Sequence, residues 1–148
     1  MKRQLRQRRN VRGFTLLEVM MVLVIIGVLA SLVAPNILGN RDRANQQKAV
    51  ADIAGLENAI SMYYAHNSVL PTTEQGLEAL VNRPNIAPEP RNYQDGGYIQ
   101  RLPTDPWGGQ YVLVSPGVNG RYDLCSSGPD LQLGTEDDIC NYNLGDFQ

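Results

Sequence analysis

Hydrophobic and polar positions are distributed unevenly along the 148-residue chain. Residues 19–40 contain no charged side chain, and their first part, VMMVLVIIGVLASLVA, consists mostly of Val, Leu, Ile, Met and Ala. A helix of about 20 such residues spans the hydrocarbon layer of a bilayer, which is roughly 30 Å thick. The pattern therefore predicts a membrane-spanning helix near the N-terminus.

Apolar residues continue at helical spacing beyond this stretch. They recur three and four residues apart, while polar residues such as Lys48, Asp52 and Glu57 fall on other faces. We therefore expect one long helix over residues 15–65 whose second half is amphipathic. Gly27 and Pro35 interrupt it, and proline removes a backbone donor, so a kink or local unwinding is predicted there. The recurring apolar positions are Ala49, Val50, Ile53, Leu56, Ala59, Ile60, Tyr63 and Tyr64. Tyr63 and Tyr64 are expected to be core residues packed against the C-terminal part.

The last eighty or so residues indicate short elements and many loops. Thr72 and Gln75 have the spacing of a capping box, which predicts a short helix over residues 74–81. Two strands are predicted over residues 110–115 and 121–126, joined by a Pro- and Gly-containing turn. The predicted fold class is α+β: a long N-terminal helix packed on a small antiparallel sheet with a loop-rich C-terminal region.

Charge is also asymmetric. The first 13 residues hold six of the 13 basic residues and no acid, whereas the rest of the chain has a formal charge of −8. Basic residues before an apolar span place the N-terminus in the cytoplasm and the C-terminal part outside. The acidic body argues against nucleic acid as a partner. A cleaved secretory signal is the alternative, but Val28-Leu29-Ala30 and the residues that follow offer poor cleavage sites.

The junction between the basic and apolar residues carries a family resemblance. RGFTLLEVMMVLVIIGVLA resembles the class III signal of type IV pilins and pseudopilins. The resemblance implies that a prepilin peptidase removes residues 1–13 after Gly13 and methylates the new amine of Phe14. It also implies an assembly helix over residues 14–35, in which Glu18 pairs with the Phe14 amine of a neighbouring subunit. A lone carboxylate in an apolar helix costs on the order of 3 kcal/mol at mid-bilayer, so such a partner is physically reasonable.

Three further segments narrow the resemblance. QGLEALV, GYIQRLPTDPWGGQY and the SSGPD near the C-terminus resemble the major pseudopilins of type II secretion systems. The implied fold is the type IV pilin-like fold, with residues 36–66 as the amphipathic half of the helix and residues 67–148 as a periplasmic globular region. The implied function is that of a structural subunit of a periplasmic pseudopilus, which supports the export of folded proteins across the outer membrane.

The resemblance also implies a location and partners. The subunit would lie in the inner membrane as a single-pass protein before it joins a homopolymer. Its partners would be the bilayer, the prepilin peptidase, the minor pseudopilins and the inner-membrane assembly platform. Two alternatives remain: a type IV pilin of a surface filament, and a membrane-anchored periplasmic calcium-binding module that never polymerises.

An acidic segment ends the chain. Residues 123–148 contain six acids and no base, and crowded carboxylates with glycines between them suit calcium, which takes six to eight oxygen ligands. The spacing is not that of an EF-hand. Resemblance to major pseudopilins implies a calcium site made by the carboxylates of Asp130, Asp137 and Asp138 and a backbone carbonyl near Ser127. Glu136 is expected to face solvent.

Cys125 and Cys140, the only two cysteines, flank this acidic segment. In an oxidising periplasm they predict a disulfide, which departs from the usual major pseudopilin and resembles the C-terminal loop of type IV pilins. The bridge would either support a calcium loop or replace the ion. A zinc site is disfavoured because there is no second cysteine pair and only one histidine. With no arrangement typical of catalysis, the sequence predicts a protein that is not an enzyme.

Overall fold

The computed structural model describes residues 14–147, without the side chains of residues 31–40. Its main element is a 52-residue helix, α1 (Leu16–Asn67), which confirms the predicted long helix. Thr15 caps its start, because the Glu18 backbone N–H lies 3.3 Å from Thr15 Oγ1 and 3.1 Å from Thr15 O. A short polar residue before an apolar run is a typical helix start.

Helix α1 continues without interruption through Gly27 and Pro35. The predicted local unwinding is therefore absent from the single subunit. The chain divides into two units between residues 40 and 41. Among the described residues, no helix is both long and apolar enough to cross a membrane. The side chains of residues 31–40, which include the end of the predicted span, lie outside the described residues.

The second unit contains the hydrophobic core. One face of α1 is buried there at the spacing that the sequence predicts, and Tyr63 is among its fully buried side chains. Tyr64 is 38% exposed, so the expectation that both tyrosines enter the core is wrong for Tyr64. Successive side chains of an α-helix point about 100° apart, so Tyr64 cannot face the core in the same direction as Tyr63. The Arg121 guanidinium lies over the Tyr64 ring, 4.3 Å from its centroid. The core residues are Ala49, Ile53, Leu56, Ala59, Ile60, Tyr63, Leu77, Ala79, Leu80, Tyr111, Leu113, Leu124 and Ile139.

Three short antiparallel strands form the sheet in the order β1-β2-β3. They are β1 (Val112–Val114), β2 (Asp123–Ser126) and β3 (Ile139–Cys140). The first two confirm the predicted hairpin, although both are shorter than expected. Strand β3 was not predicted from the sequence, since two residues are too few for a recognisable alternation. Asn141 continues the pairing, because its side-chain oxygen accepts the Leu124 N–H at 3.0 Å.

The predicted capping box is present, but the predicted helix is not. Thr72 N–H donates to Gln75 Oε1 at 3.1 Å, and Gln75 N–H donates to Thr72 Oγ1 at 3.2 Å. Gly76 then adopts a left-handed φ of 58°, which no α-helix can continue. A four-residue 3₁₀ helix, Leu77–Leu80, follows instead of a helix over residues 74–81. A second 3₁₀ helix, Leu144–Phe147, ends the described chain.

Candidate functional site

The first half of α1 presents apolar side chains to the surroundings. Phe14 and Leu16 are 81% and 80% exposed, and every large hydrophobic side chain of residues 14–30 is exposed. Glu18 is exposed among them and is the only acidic residue in this stretch. Gly27 also has open space where a side chain would begin, with no atom within 4 Å. This part of the helix therefore buries no apolar face within its own unit.

The predicted processing and assembly residues are described only in part. Gly13 and the rest of residues 1–13 lie outside the described residues, as does the side chain of Pro35. Phe14 is the first described residue and lies two residues before the start of α1. Glu18 lies in the first turn of the helix, where its negative charge is favourable to the helix dipole.

The two cysteines form the predicted disulfide. Cys125 on β2 and Cys140 on β3 are direct partners in the antiparallel pairing, with Cα atoms 4.1 Å apart. The bridge therefore closes residues 126–139 into a loop whose two ends are already paired as strands. We call these residues the acidic loop.

Within the acidic loop, two of the predicted ligands are linked by hydrogen bonds. The Asp130 N–H donates to Asp137 Oδ2 at 3.3 Å, and the Thr135 hydroxyl donates to Asp137 Oδ1 at 2.6 Å. The hydroxyl lowers the pKa of Asp137, because it stabilises the charged form. Asp130 Oδ1 accepts the Gln132 N–H at 2.8 Å. Glu136 is exposed, as expected.

Asp138 differs from its neighbours because it is buried, with 8% of its surface exposed. Its Oδ2 accepts the Gly134 N–H at 2.6 Å, but its Oδ1 is buried without a hydrogen-bond partner. A buried carboxylate oxygen without a partner is costly, so such an atom is a candidate ligand for a cation. Ser127 is also buried, at the start of the loop.

The predicted ligands in the acidic loop do not form a complete metal centre. Among the residues that the structure describes, no three His, Cys, Asp or Glu side chains converge closely enough to hold a metal ion. The predicted carboxylates Asp130, Asp137 and Asp138 are therefore neighbours in one loop without meeting at one point. Their donor chemistry fits a hard cation such as calcium, since all are oxygens and one of them lacks a partner.

The polar contacts beneath the acidic loop were not predicted from the sequence. Asp105 is 2% exposed, and the fully buried Ser126 hydroxyl donates to its Oδ2. Asp105 Oδ1 accepts the Trp107 N–H at 2.9 Å, which closes the turn of the LPTDPWG motif. An Asp two residues before the donor of such a turn is a recognisable signal, although its second partner on β2 is not visible in the sequence.

Helix α1 is tied to the same turn. Lys48 Nζ donates to Thr104 O at 3.0 Å and pairs with Asp52, whose Oδ2 also accepts the Tyr111 hydroxyl at 2.8 Å. Burial, and then the hydrogen bond to Asp52, raises the pKa of Tyr111. The LPTDPWG segment and the Tyr111 that follows it therefore connect α1 to the sheet.

Two families match the chain. Residues 36–142 match the family described as type II secretion system (T2SS), protein G. Residues 8–34 match the prokaryotic N-terminal methylation motif. Together the two matches cover α1 except Pro35, the sheet and the acidic loop.

Similar proteins extend over nearly the whole chain. Type II secretion system core protein G of Aeromonas hydrophila is 62% identical over 142 residues, which cover 96% of this chain and 99% of that protein. The protein of the same name from Vibrio cholerae is 58% identical over 147 residues, with coverages of 97% and 100%. These matches favour the pseudopilin prediction over the surface-pilin alternative.

A solved structure agrees with the fold. It is the major pseudopilin from the type 2 secretion system of enterohaemorrhagic Escherichia coli, which is 53% identical and superposes with a TM-score of 0.68. The match covers 73% of this chain and 95% of that one. The type IV pilin-like α+β fold is thereby confirmed. From its sequence motifs, its fold and these matches, the chain belongs to the protein G family of type II secretion systems, the major pseudopilins.

Proposed function

We propose that this chain is a structural subunit that polymerises through α1 into a periplasmic pseudopilus and has no catalytic role. The observation that carries the proposal is the exposed apolar surface of residues 14–30, which holds a single carboxylate. A soluble monomer rarely exposes a large continuous apolar surface. Such a surface is stable in lipid before assembly and against neighbouring helices after it.

In this proposal the subunit begins as a single-pass inner-membrane protein with a cytoplasmic N-terminus. A prepilin peptidase cuts between Gly13 and Phe14 and methylates the Phe14 amine. In the filament, the amine of one subunit pairs with Glu18 of its neighbour, which compensates the cost of a charge among apolar side chains. The minor pseudopilins and the inner-membrane assembly platform are the proposed partners in export.

The test is filament assembly in cells whose own major pseudopilin has been deleted. Filaments sheared from cells that express the wild-type chain should contain it, and mass spectrometry should give a mature N-terminus at methylated Phe14. The Glu18→Ala variant should be processed but should not assemble. Glu74→Ala is the matched control, because Glu74 is an exposed carboxylate in the second unit.

Two outcomes contradict the proposal. Assembly of Glu18→Ala at wild-type levels removes the proposed role of the carboxylate. A wild-type chain that keeps Met1 and forms no filaments supports instead the membrane-anchored module that does not polymerise. Both outcomes can be interpreted without knowing which proteins the system exports.

We also propose that the acidic loop binds calcium. Asp138 supplies a buried oxygen without a partner, Asp130 and Asp137 are already linked through one hydrogen bond, and no basic residue occurs in residues 123–148. These carboxylates, with a carbonyl near Ser127, would hold the ion, which would supply positive charge to a loop that lacks it. Binding of a ligand at 100 times its dissociation constant stabilises a folded protein by about 2.7 kcal/mol.

Thermal unfolding tests the calcium proposal. The oxidised full chain in detergent should melt several degrees higher with calcium than with excess chelator. Asp138→Asn should reduce this difference, whereas Asp146→Asn, outside the acidic loop, should leave it unchanged. Identical melting of the wild-type chain in both conditions would show that the disulfide holds the loop without an ion.

A further inference from the structure

A buried polar pair joins the LPTDPWG turn to the start of the acidic loop. Asp105 and Ser126 are 2% and 0% exposed, and the Ser126 hydroxyl donates to Asp105 Oδ2. The other oxygen, Oδ1, accepts the Trp107 N–H at 2.9 Å. Both oxygens of this carboxylate therefore accept hydrogen bonds, one from its own turn and one from the last residue of β2.

The hydrogen bond to Asp105 fixes the direction of the next one. A serine hydroxyl has one proton, which Ser126 donates in its hydrogen bond to Asp105. The Ser126 oxygen can therefore still accept a hydrogen bond. It accepts the Gly128 N–H at 3.2 Å. This chain of bonds runs from Asp105 through Ser126 to the backbone of the acidic loop, and it holds the residues on both sides of the Ser127 carbonyl.

Gly128 lies directly against a predicted calcium ligand. Its φ is 61°, and a Cβ there would lie 2.5 Å from Asp137 O and 2.9 Å from Asp137 Oδ2. The position of the Gly128 backbone therefore constrains where Asp137 can lie. Gly109, the residue after the LPTDPWG segment, also lies close to the acidic loop, since a Cβ there would lie 3.4 Å from Ser127 Oγ and 3.5 Å from Leu131 Cδ2.

We propose that Asp105 is a positioning residue for the calcium site, acting through Ser126 and Gly128 without touching the ion. This inference rests on the calcium binding proposed above. A loop whose first residues are fixed before binding loses less conformational entropy when it closes on an ion, so its affinity is higher. Aspartate is required because both of its oxygens accept. Asparagine would replace one acceptor by an NH₂ donor and break the bond to Trp107 or to Ser126.

The test measures calcium affinity by titration calorimetry on the oxidised full chain in detergent. Asp105→Asn, Ser126→Ala and the double variant are compared with wild type, and Asp95→Asn is the control, because Asp95 is an exposed aspartate in another turn. Each single variant should raise the dissociation constant about tenfold or more, as is usual for residues that orient metal ligands. The double variant should be no weaker than the weaker single variant, because both remove the same chain of bonds.

A second measurement separates positioning from general stability. Melting in chelator reports the stability of the fold, and the rise on adding calcium reports the site. Positioning predicts a smaller calcium-induced rise in both variants. An unchanged rise, or wild-type affinity in both variants, overturns the inference. If Asp105→Asn does not fold, Ser126→Ala decides the question alone.

The two proposals fail in different ways. If the wild-type chain takes up no calcium, the calcium proposal fails and this inference fails with it. If the wild-type chain binds calcium and both variants bind it equally well, only the positioning role of Asp105 is wrong. The filament proposal is tested separately, by the assembly experiment described above.

Discussion

Cys125 and Cys140 are direct partners across β2 and β3, so the disulfide bridges residues that the sheet already pairs. The bridge spans a sequence separation of 15 residues. Closing a loop of this length in the unfolded chain is worth about 3 kcal/mol in the chain-entropy model. The covalent bond therefore restricts the unfolded chain without forcing the folded strands together.

The first prediction concerns this bridge. A variant with both Cys125→Ser and Cys140→Ser should keep the fold but melt lower by on the order of 10 °C. Circular dichroism of the full chain in detergent measures the midpoint, with reduction of the wild-type bridge as a second route to the same state. An unchanged midpoint by both routes would show that strand pairing alone stabilises the loop.

The second prediction concerns Gln75, whose buried side chain makes three hydrogen bonds to backbone groups. Its Nε2 donates to Ile86 O at 2.6 Å and to Pro88 O at 3.1 Å, while its Oε1 accepts the Thr72 N–H. Gln75→Ala removes these three hydrogen bonds, and an intramolecular hydrogen bond contributes about 0.5–1.5 kcal/mol net to a folded protein. The variant should lose at least that much in the free energy of unfolding.

Gln47→Ala is the matched control for Gln75, because Gln47 is an exposed glutamine on α1. Its unfolding free energy should stay close to that of wild type. Equal stability of the two variants would mean that the loop over residues 86–88 does not depend on Gln75.

The third prediction concerns stability at alkaline pH. Burial raises the pKa of Tyr111, and the hydrogen bond to Asp52 raises it further. Because the unfolded chain releases this proton first, near pH 10, the folded state binds more protons above that pH. The stability contributed by the neutral phenol is therefore fully present below about pH 10 and falls as the pH rises further.

Melting curves between pH 8 and pH 11 test this dependence. Tyr111→Phe should lose less stability above pH 10 than wild type does, and Tyr142→Phe, at an exposed position, should behave as wild type. Parallel curves for the wild-type chain and Tyr111→Phe would contradict the prediction. Burial also raises the pKa of Tyr63, Tyr93 and Tyr122, so some alkaline loss remains in every variant.

The fourth prediction concerns Thr135 and acid pH. The Thr135 hydroxyl lowers the pKa of Asp137, so this contact contributes stability above the ordinary aspartate range, near pH 4, and loses it as the pH falls. Thr135→Val should raise the pKa of Asp137, as followed by the carboxyl chemical shift in calcium-free solution. Thr104→Val is the control, because Thr104 contributes only its backbone carbonyl to a described contact. An unchanged titration of Asp137 would remove the proposed role of the hydroxyl.

Much of this molecule could be predicted from the sequence because the relevant signals are local. The helix follows from apolar spacing, the capping box from Thr72 and Gln75, and the hairpin from two short apolar runs around a Pro- and Gly-containing turn. The disulfide followed from two cysteines in a chain predicted to be periplasmic. Each signal depends on neighbours a few residues apart or on the absence of any other partner.

Only the tertiary structure decided the rest, because it depends on contacts between distant segments. The positive φ of Gly76 prevents the predicted short α-helix from forming. Strand β3 is too short to recognise in the sequence and is defined by its pairing with β2. The hydrogen bond between Asp105 and Ser126 joins residues 21 apart in the sequence, and no local pattern predicts it. The sequence alone determined the family and the long helix, whereas folding determined which buried polar groups meet beneath the acidic loop, since a buried group must find its partner wherever the chain brings one close.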